Sequence, residues 1–187
     1  MKVLIVIDAQ NEFSAQGKRP VPGHSHILDQ IRLRVEHARQ ENWAIAWIRH
    51  HNRPHESPAF VPGTWGAGYS PGLGPKPGRG LEVEFQKDVY GAFTGTNIGS
   101  WITQLGINKV LLCGFYTHGC VSTTAREAIM NNLEVFIDID TTGACDIQHE
   151  TLGVQTADEV RRSALLHLEN LGVKIVNHNK QQTLELV

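Results

Sequence analysis

Cysteine is scarce in this chain, and the three that occur, Cys113, Cys120 and Cys145, form no CxxC pair. An odd count without paired spacing argues against both a disulfide framework and a structural zinc site, so the thiols are expected to be free. Long apolar runs are missing too. The longest are strand-sized, well short of the roughly 20 residues that span a bilayer, and the N-terminus enters a strand without a cleavable signal pattern. No membrane partner is expected, and the cytoplasm is the expected compartment. Charge of one sign is not in excess either: 17 Lys and Arg stand against 19 Asp and Glu, interspersed for a net charge of −2. Without a basic cluster, no nucleic-acid partner is expected. What remains is one domain over residues 1–187, 41% apolar and long enough for a two-sided core, with a small molecule as its partner.

Through most of the chain, strand and helix patterns alternate. Lys2–Ile7 is an apolar strand; Leu28, Ile31, Val35 and Ala38 recur at helical spacing through 26–41; Trp43–Ile48 is a second buried strand. Val83–Gln86 is a further short strand. A second round follows, with Ile98, Trp101, Ile102 and Leu105 as a helical stripe stopped by Gly106, then the continuous apolar strand Lys109–Phe115. A helix opening at Cys120 and ending near Asn131-Asn132 precedes the strand Leu133–Ile137. Thr156-Ala157-Asp158-Glu159 has the capping-box pattern of a last helix, closed by Gly172, and Val173–Val176 supplies an outer strand. The class is α/β: a single-domain, Rossmann-like three-layer sandwich whose mostly parallel sheet is flanked by helices.

One segment breaks the alternation. Residues 53–81 hold six of the eight prolines and seven of the 18 glycines, around Phe60, Trp65 and Tyr69. Long loops without secondary structure inside compact domains are usually functional, and this one is expected to cover a substrate.

The chemistry points to the ends of the strands. Gly114-Phe115-Tyr116-Thr117-His118-Gly119-Cys120 delivers a cysteine from a strand to the start of a helix. There the free N–H groups and positive dipole end stabilise a thiolate and can bind an oxyanion, so the pKa of Cys120 is expected below that of an ordinary thiol. Cys113, inside an apolar strand, is expected to be inert. Asp8 ends the first strand and Lys87 another, and in an open parallel sheet such ends converge on one crevice.

These residues resemble a known family. Asp8-Ala9-Gln10-Asn11-Glu12-Phe13, Lys87 with Tyr90-Gly91-Ala92-Phe93, and Gly114–Val121 with Thr124-Ala125 are similar, in order, to the three motifs of the isochorismatase-like cysteine hydrolases. That superfamily includes nicotinamidases, N-carbamoylsarcosine amidohydrolases, biuret hydrolases and isochorismatases, and the resemblance runs from Met1 to about Val176. It implies a triad in which Cys120 attacks an amide or ureido carbonyl, Asp8 moves the proton, and Lys87 pairs with Asp8 and favours negative charge on sulfur. It also implies an oxyanion hole from the backbone N–H groups of Tyr116 and Cys120, a cis peptide between Phe115 and Tyr116, no cofactor, and a homodimer or homotetramer. Two other readings stay open: a vinyl ether hydrolase of the isochorismatase type that uses the aspartate, and a catalytically silent ligand-binding protein.

Nicotinamidases of this superfamily hold a divalent cation through an Asp-x-His pair and a later His. Arg49-His50-His51, with His55, lies in the corresponding region. Arg49 takes the carboxylate's position, where a guanidinium repels a cation, so no metal is expected and His51 and His55 are expected at the loop or pocket rim. Phe13, Trp65, Tyr90, Tyr116 and His118 are expected to contact substrate, with His118 alternatively capping the helix.

Overall fold

In a computed structural model, which describes residues 2–53, 55–78 and 80–177, the apolar runs assemble into one six-stranded sheet. Its strands are β1 (Val3–Ile7), β2 (Ala44–His50), β3 (Glu82–Lys87), β4 (Lys109–Phe115), β5 (Glu134–Gly143) and β8 (Lys174–Val176), in the order β3-β2-β1-β4-β5-β8. Every pairing in this sheet is parallel, which explains why its central strands are apolar on both faces. Residues 178–187 of the expected domain lie outside the described residues.

Helix α1 (His24–Gln40) covers one face, packing Leu28, Ile31, Val35 and Ala38 against Leu4, Val6, Trp47 and Phe136. Helices α2 (Ile98–Gln104), α3 (Ser122–Met130) and α4 (Ala157–Asn170) cover the other, where Ile102, Ala125, Ala128 and Leu168 meet Ile5, Ile7, Leu112 and Ile137. Helix α4 starts with both halves of the expected capping box: the Thr156 hydroxyl accepts from the Glu159 N–H, and the Glu159 carboxylate accepts from the Thr156 N–H.

Several elements differ from the sequence reading. Helix α1 begins two residues before position 26. Strand β5 runs on to Gly143, because after a register shift between Leu112 and Gly114 its Thr142 and Gly143 pair with Gly114 and Phe115. Asp138 breaks the apolar pattern of that strand but is buried against Arg34, whose Nε donates to its carboxylate at 2.7 Å. The antiparallel pair β6 (Ile147–His149) and β7 (Gly153–Gln155) forms an exposed hairpin with no strand-like run to announce it.

Strand order reverses between β1 and β4. That is the switch point at which open α/β sheets bind ligands, outside the carboxyl ends of their strands.

Candidate active site

The carboxyl ends of β1, β2, β3 and β4 meet at this point. Asp8 follows β1 in the left-handed region, with φ of 51°, and its N–H donates to the Ile48 carbonyl. That turn takes its side chain out of the strand ladder and into the crevice. On the neighbouring strand Gly114 lies so close to β1 that a Cβ there would sit 1.8 Å from the Ile7 oxygen. Its φ is +122°, so glycine is required for both reasons. The Phe115–Tyr116 peptide that follows is cis.

The chain then makes one wide turn over Thr117–Val121, kinked at Gly119, before α3 starts at Ser122. Cys120 therefore sits in the turn before the helix rather than at its first residue. Thr142 secures the turn from beneath, donating to the Gly114 carbonyl at 2.8 Å and lying 2.9 Å from the Thr117 hydroxyl.

Asp8, Lys87 and Cys120 come together as expected from the strand ends. The Lys87 ammonium donates to Asp8 Oδ2 at 2.8 Å, to Cys120 Sγ at 3.2 Å and to the Val89 carbonyl at 3.2 Å, and lies 3.1 Å from His50 Nδ1. The side chains of Lys87 and Asp8 are almost completely buried. Among the described residues Asp8 Oδ1 has no nitrogen or oxygen donor. Asp8, His50 and Cys120 offer atoms within 4.8 Å of one another, a spacing suited to a metal ion, but Lys87 Nζ contacts all three. The lysine is itself the cation of this cluster.

The electrostatics correct one expectation. Burial, and then the facing Asp8 carboxylate, push the Cys120 thiol well above its ordinary pKa, with Lys87 pulling the other way. Burial opposes the Lys87 ammonium, yet its interactions with Asp8 and then with Cys120 outweigh it and hold the lysine above its usual range. The Cys120 thiol thus favours its protonated form beside the Asp8–Lys87 pair. Cys113 is fully buried and its thiol is also pushed up, mainly by burial.

His50 is a site residue that sequence reasoning did not single out. Side chains alternate along a strand, so on β2 the face that meets Lys87 belongs to position 50, whose register partner on β3 is Lys87 itself. Arg49 points to the other side, where its guanidinium pairs with Glu84 at 2.7 Å and lies 4.4 Å from the centre of the Tyr69 ring. Contrary to expectation, then, Arg49 does not set the electrostatics of the site, because its charge is engaged elsewhere. The His51 N–H donates to the Lys87 carbonyl and its ring lies toward Gln86, while His55 is exposed in the loop.

The proline-rich segment is firmly docked. Gln10 binds both main-chain groups of His50, accepting from its N–H at 2.9 Å and donating to its carbonyl at 3.0 Å, and also donates to the Ala67 carbonyl at 2.9 Å. The buried Glu12 carboxylate accepts from the N–H groups of Lys18 and Phe60. Gly66 lies against that carboxylate, with a Cβ position 2.3 Å from Oε1, so a side chain there would displace the clamp. The Asp-x-Gln-x-Glu spacing of the first motif thus serves the loop as well as the site.

The expected substrate contacts are distributed unevenly. Phe13 is core, 2% exposed, with its ring against Phe60, Phe115 and Tyr116. Tyr116 and His118 stack at 5.1 Å; His118 makes no capping bond to α3, and burial holds its imidazole below the ordinary histidine pKa. Tyr90 is 68% exposed and its ring edge reaches toward Gly119. Trp65 is 55% exposed, on the wall of a cleft of about 1230 Å³ that Tyr116 also lines. With its ring in solvent, Trp65→Ala is expected to change stability by less than about 1 kcal/mol. Unfolding of the variant in a thermal melt would place Trp65 in the core.

A buried cysteine thus lies against the Asp8–Lys87 ion pair at the switch point of a Rossmann-like sheet. The chain matches the Isochorismatase domain over residues 2–165 and belongs to the isochorismatase family of hydrolases. It is 33% identical over 159 residues to the secreted isochorismatase effector Isc1 of Verticillium dahliae, covering 85% of this chain and 79% of that protein. To the nicotinamidase/pyrazinamidase of Mycobacterium tuberculosis it is 28% identical over 163 residues, covering 76% and 86%. An isochorismatase from Pseudomonas putida has the same fold, with a TM-score of 0.86 at 25% identity, covering 94% of this chain and 87% of that one. No helix among the described residues is long and apolar enough to cross a membrane.

Proposed function

We propose that the protein is a cysteine-dependent amidohydrolase, cleaving a C–N bond of a small amide, carbamoyl or ureido compound through Cys120, Asp8 and Lys87. The observation that carries this reading is the contact of Lys87 Nζ with both Asp8 Oδ2 and Cys120 Sγ, with the Asp8 side chain facing the thiol and its Oδ1 free of nitrogen and oxygen donors among the described residues. Asp8 Oδ1 takes the thiol proton as sulfur bonds to the carbonyl carbon, and the backbone N–H groups of Tyr116 and Cys120 receive the oxyanion. Asp8 returns that proton to the departing nitrogen, the C–N bond breaks, and a thioester is left. Water gives a proton to Asp8 and adds to the thioester; sulfur then leaves and is reprotonated. Lys87 keeps its proton throughout and offsets the negative charge that passes between Asp8 and sulfur.

Substrate binds against Tyr116 and His118, with Tyr90 and Trp65 at the rim. Under this reading Trp65→Ala raises KM more than it lowers kcat, because its ring contacts substrate and not the reacting atoms. An ammonia-release screen across amides, carbamoyl compounds and ureides tests the assignment. Dialysis against a chelator is expected to leave turnover unchanged, since Lys87 supplies the positive charge. Stoichiometric metal, with activity lost on its removal and restored on its return, would contradict this. The relative named an isochorismatase effector favours a second reading, cleavage of a vinyl ether through Asp8. Under that reading turnover survives loss of the cysteine.

A further inference from the structure

We propose that His50 is the positioning residue for Lys87: a neutral hydrogen-bond acceptor, fixed by Asn52, that holds the ammonium between Asp8 and Cys120. The inference rests on the reading of those three residues as the catalytic centre, and it adds a fourth side chain to them. An ammonium has three protons and no lone pair, so in the 3.1 Å contact with Lys87 Nζ the His50 Nδ1 accepts, sharing those protons with Asp8 Oδ2, Cys120 Sγ and the Val89 carbonyl. Its hydrogen is then on Nε2, which donates to Asn52 Oδ1 at 2.7 Å. Asn52 is oriented in turn, because its Nδ2 donates to the Ala59 carbonyl at 2.7 Å, leaving Oδ1 to face the imidazole. The His50 ring also meets the Phe60 ring edge-on at 5.2 Å, and Gln10 holds its main chain. Tautomer, ring plane and backbone are all constrained, and the one end left to act on something points at the lysine.

The need for such a residue follows from the charges. The charged partner of Lys87 is Asp8, and the ammonium contacts only one of its oxygens. Without a counter-pull, Nζ is drawn toward the whole carboxylate and engages Oδ1, the oxygen that must take the thiol proton. His50 supplies that pull without charge, alongside the Val89 carbonyl at 3.2 Å. A carboxylate in its place would draw the ammonium off Asp8, and an imidazolium would repel it. The same chain of bonds joins the catalytic lysine to Asn52, Ala59 and Phe60, so the docked loop bears on the reacting atoms through His50.

His50→Leu, His50→Asn and Asn52→Asp test this. Leucine removes the acceptor. Asparagine places a neutral oxygen near the position of Nδ1. The Asn52→Asp substitution offers a carboxylate to Nε2 and favours the imidazolium, which faces Lys87 from β3, with Asp8 and Cys120 beyond it and Asp88 and His51 nearby. The readouts are kcat and KM on the substrate from the ammonia-release screen, and the rate of Cys120 alkylation by iodoacetamide across the acidic and neutral range, which needs no substrate. His50→Leu is expected to lose about tenfold or more in kcat with KM within about twofold, as for a misplaced catalytic group. Its alkylation profile should shift, and His50→Asn should recover most of both losses. Asn52→Asp should lose kcat while melting like the wild type. Unchanged kcat and alkylation in His50→Leu, or, if that variant does not fold, wild-type kinetics in Asn52→Asp, overturns the inference while the triad stands. Turnover that survives Cys120→Ala removes the triad and this inference together.

Discussion

Cys120→Ala is expected to abolish hydrolysis, lowering kcat by roughly 10⁴-fold or more, the scale on which covalent enzymes respond to loss of their nucleophile. The fold should survive. The substitution removes one sulfur from a small-residue corner beside Val121 and Ala125, which costs about 1 kcal/mol, and leaves the buried Asp8–Lys87 pair intact. No charge is stranded. Ammonia release and a thermal melt on the same preparation decide the matter. Retention of more than about a few per cent of turnover would exclude nucleophilic catalysis by Cys120 and favour the reading in which Asp8 acts alone.

Asp8→Asn should separate thiolate formation from catalysis. Turnover is expected to fall by about 10³-fold or more, because the base that receives and returns the proton is gone. Yet the Cys120 thiol should ionise more readily than in the wild type. In the wild type the carboxylate is one of two influences that raise this pKa, burial being the larger, and Lys87 lowers it. Deleting the negative charge leaves burial opposed by an ammonium 3.2 Å from sulfur, so the pKa moves down. Thiolate absorbance followed against pH, with Cys145→Ser to remove the one partly exposed thiol, reads this directly. Cys113 should stay silent because it is fully buried. A thiol that titrates where it did before, or higher, would show that Asp8 does not face the sulfur in solution. An Asn variant with substantial turnover would show that Asp8 is not the base.

The sequence by itself determined the class of fold and the chemical types at the site. Both are written in local patterns: continuous apolar runs for strands buried on two faces, a helical stripe for α1, the Thr156 and Glu159 capping box for α4, and strand ends carrying Asp8, Lys87 and the cysteine turn. Gly114 heads the cysteine segment in the sequence, but the reason for glycine there, the closeness of the Ile7 oxygen, lies across the sheet.

Tertiary structure alone decided which histidine meets the lysine. Positions 49, 50 and 51 all carry basic side chains, and only the register of β2 on β3 selects His50 for Lys87 while turning Arg49 to Glu84 and Tyr69. A shift of one residue exchanges the faces of a strand, and no local pattern near position 50 reports the register. The role of Gln10 was hidden for a similar reason, since its partners at His50 and Ala67 are 40 and 57 residues away. So was the raised pKa of the thiol. A helix N-terminus is visible in sequence and lowers a thiol's pKa, but burial and a carboxylate delivered from 112 positions earlier, at Asp8, act more strongly, and both exist only once the sheet has closed around Cys120.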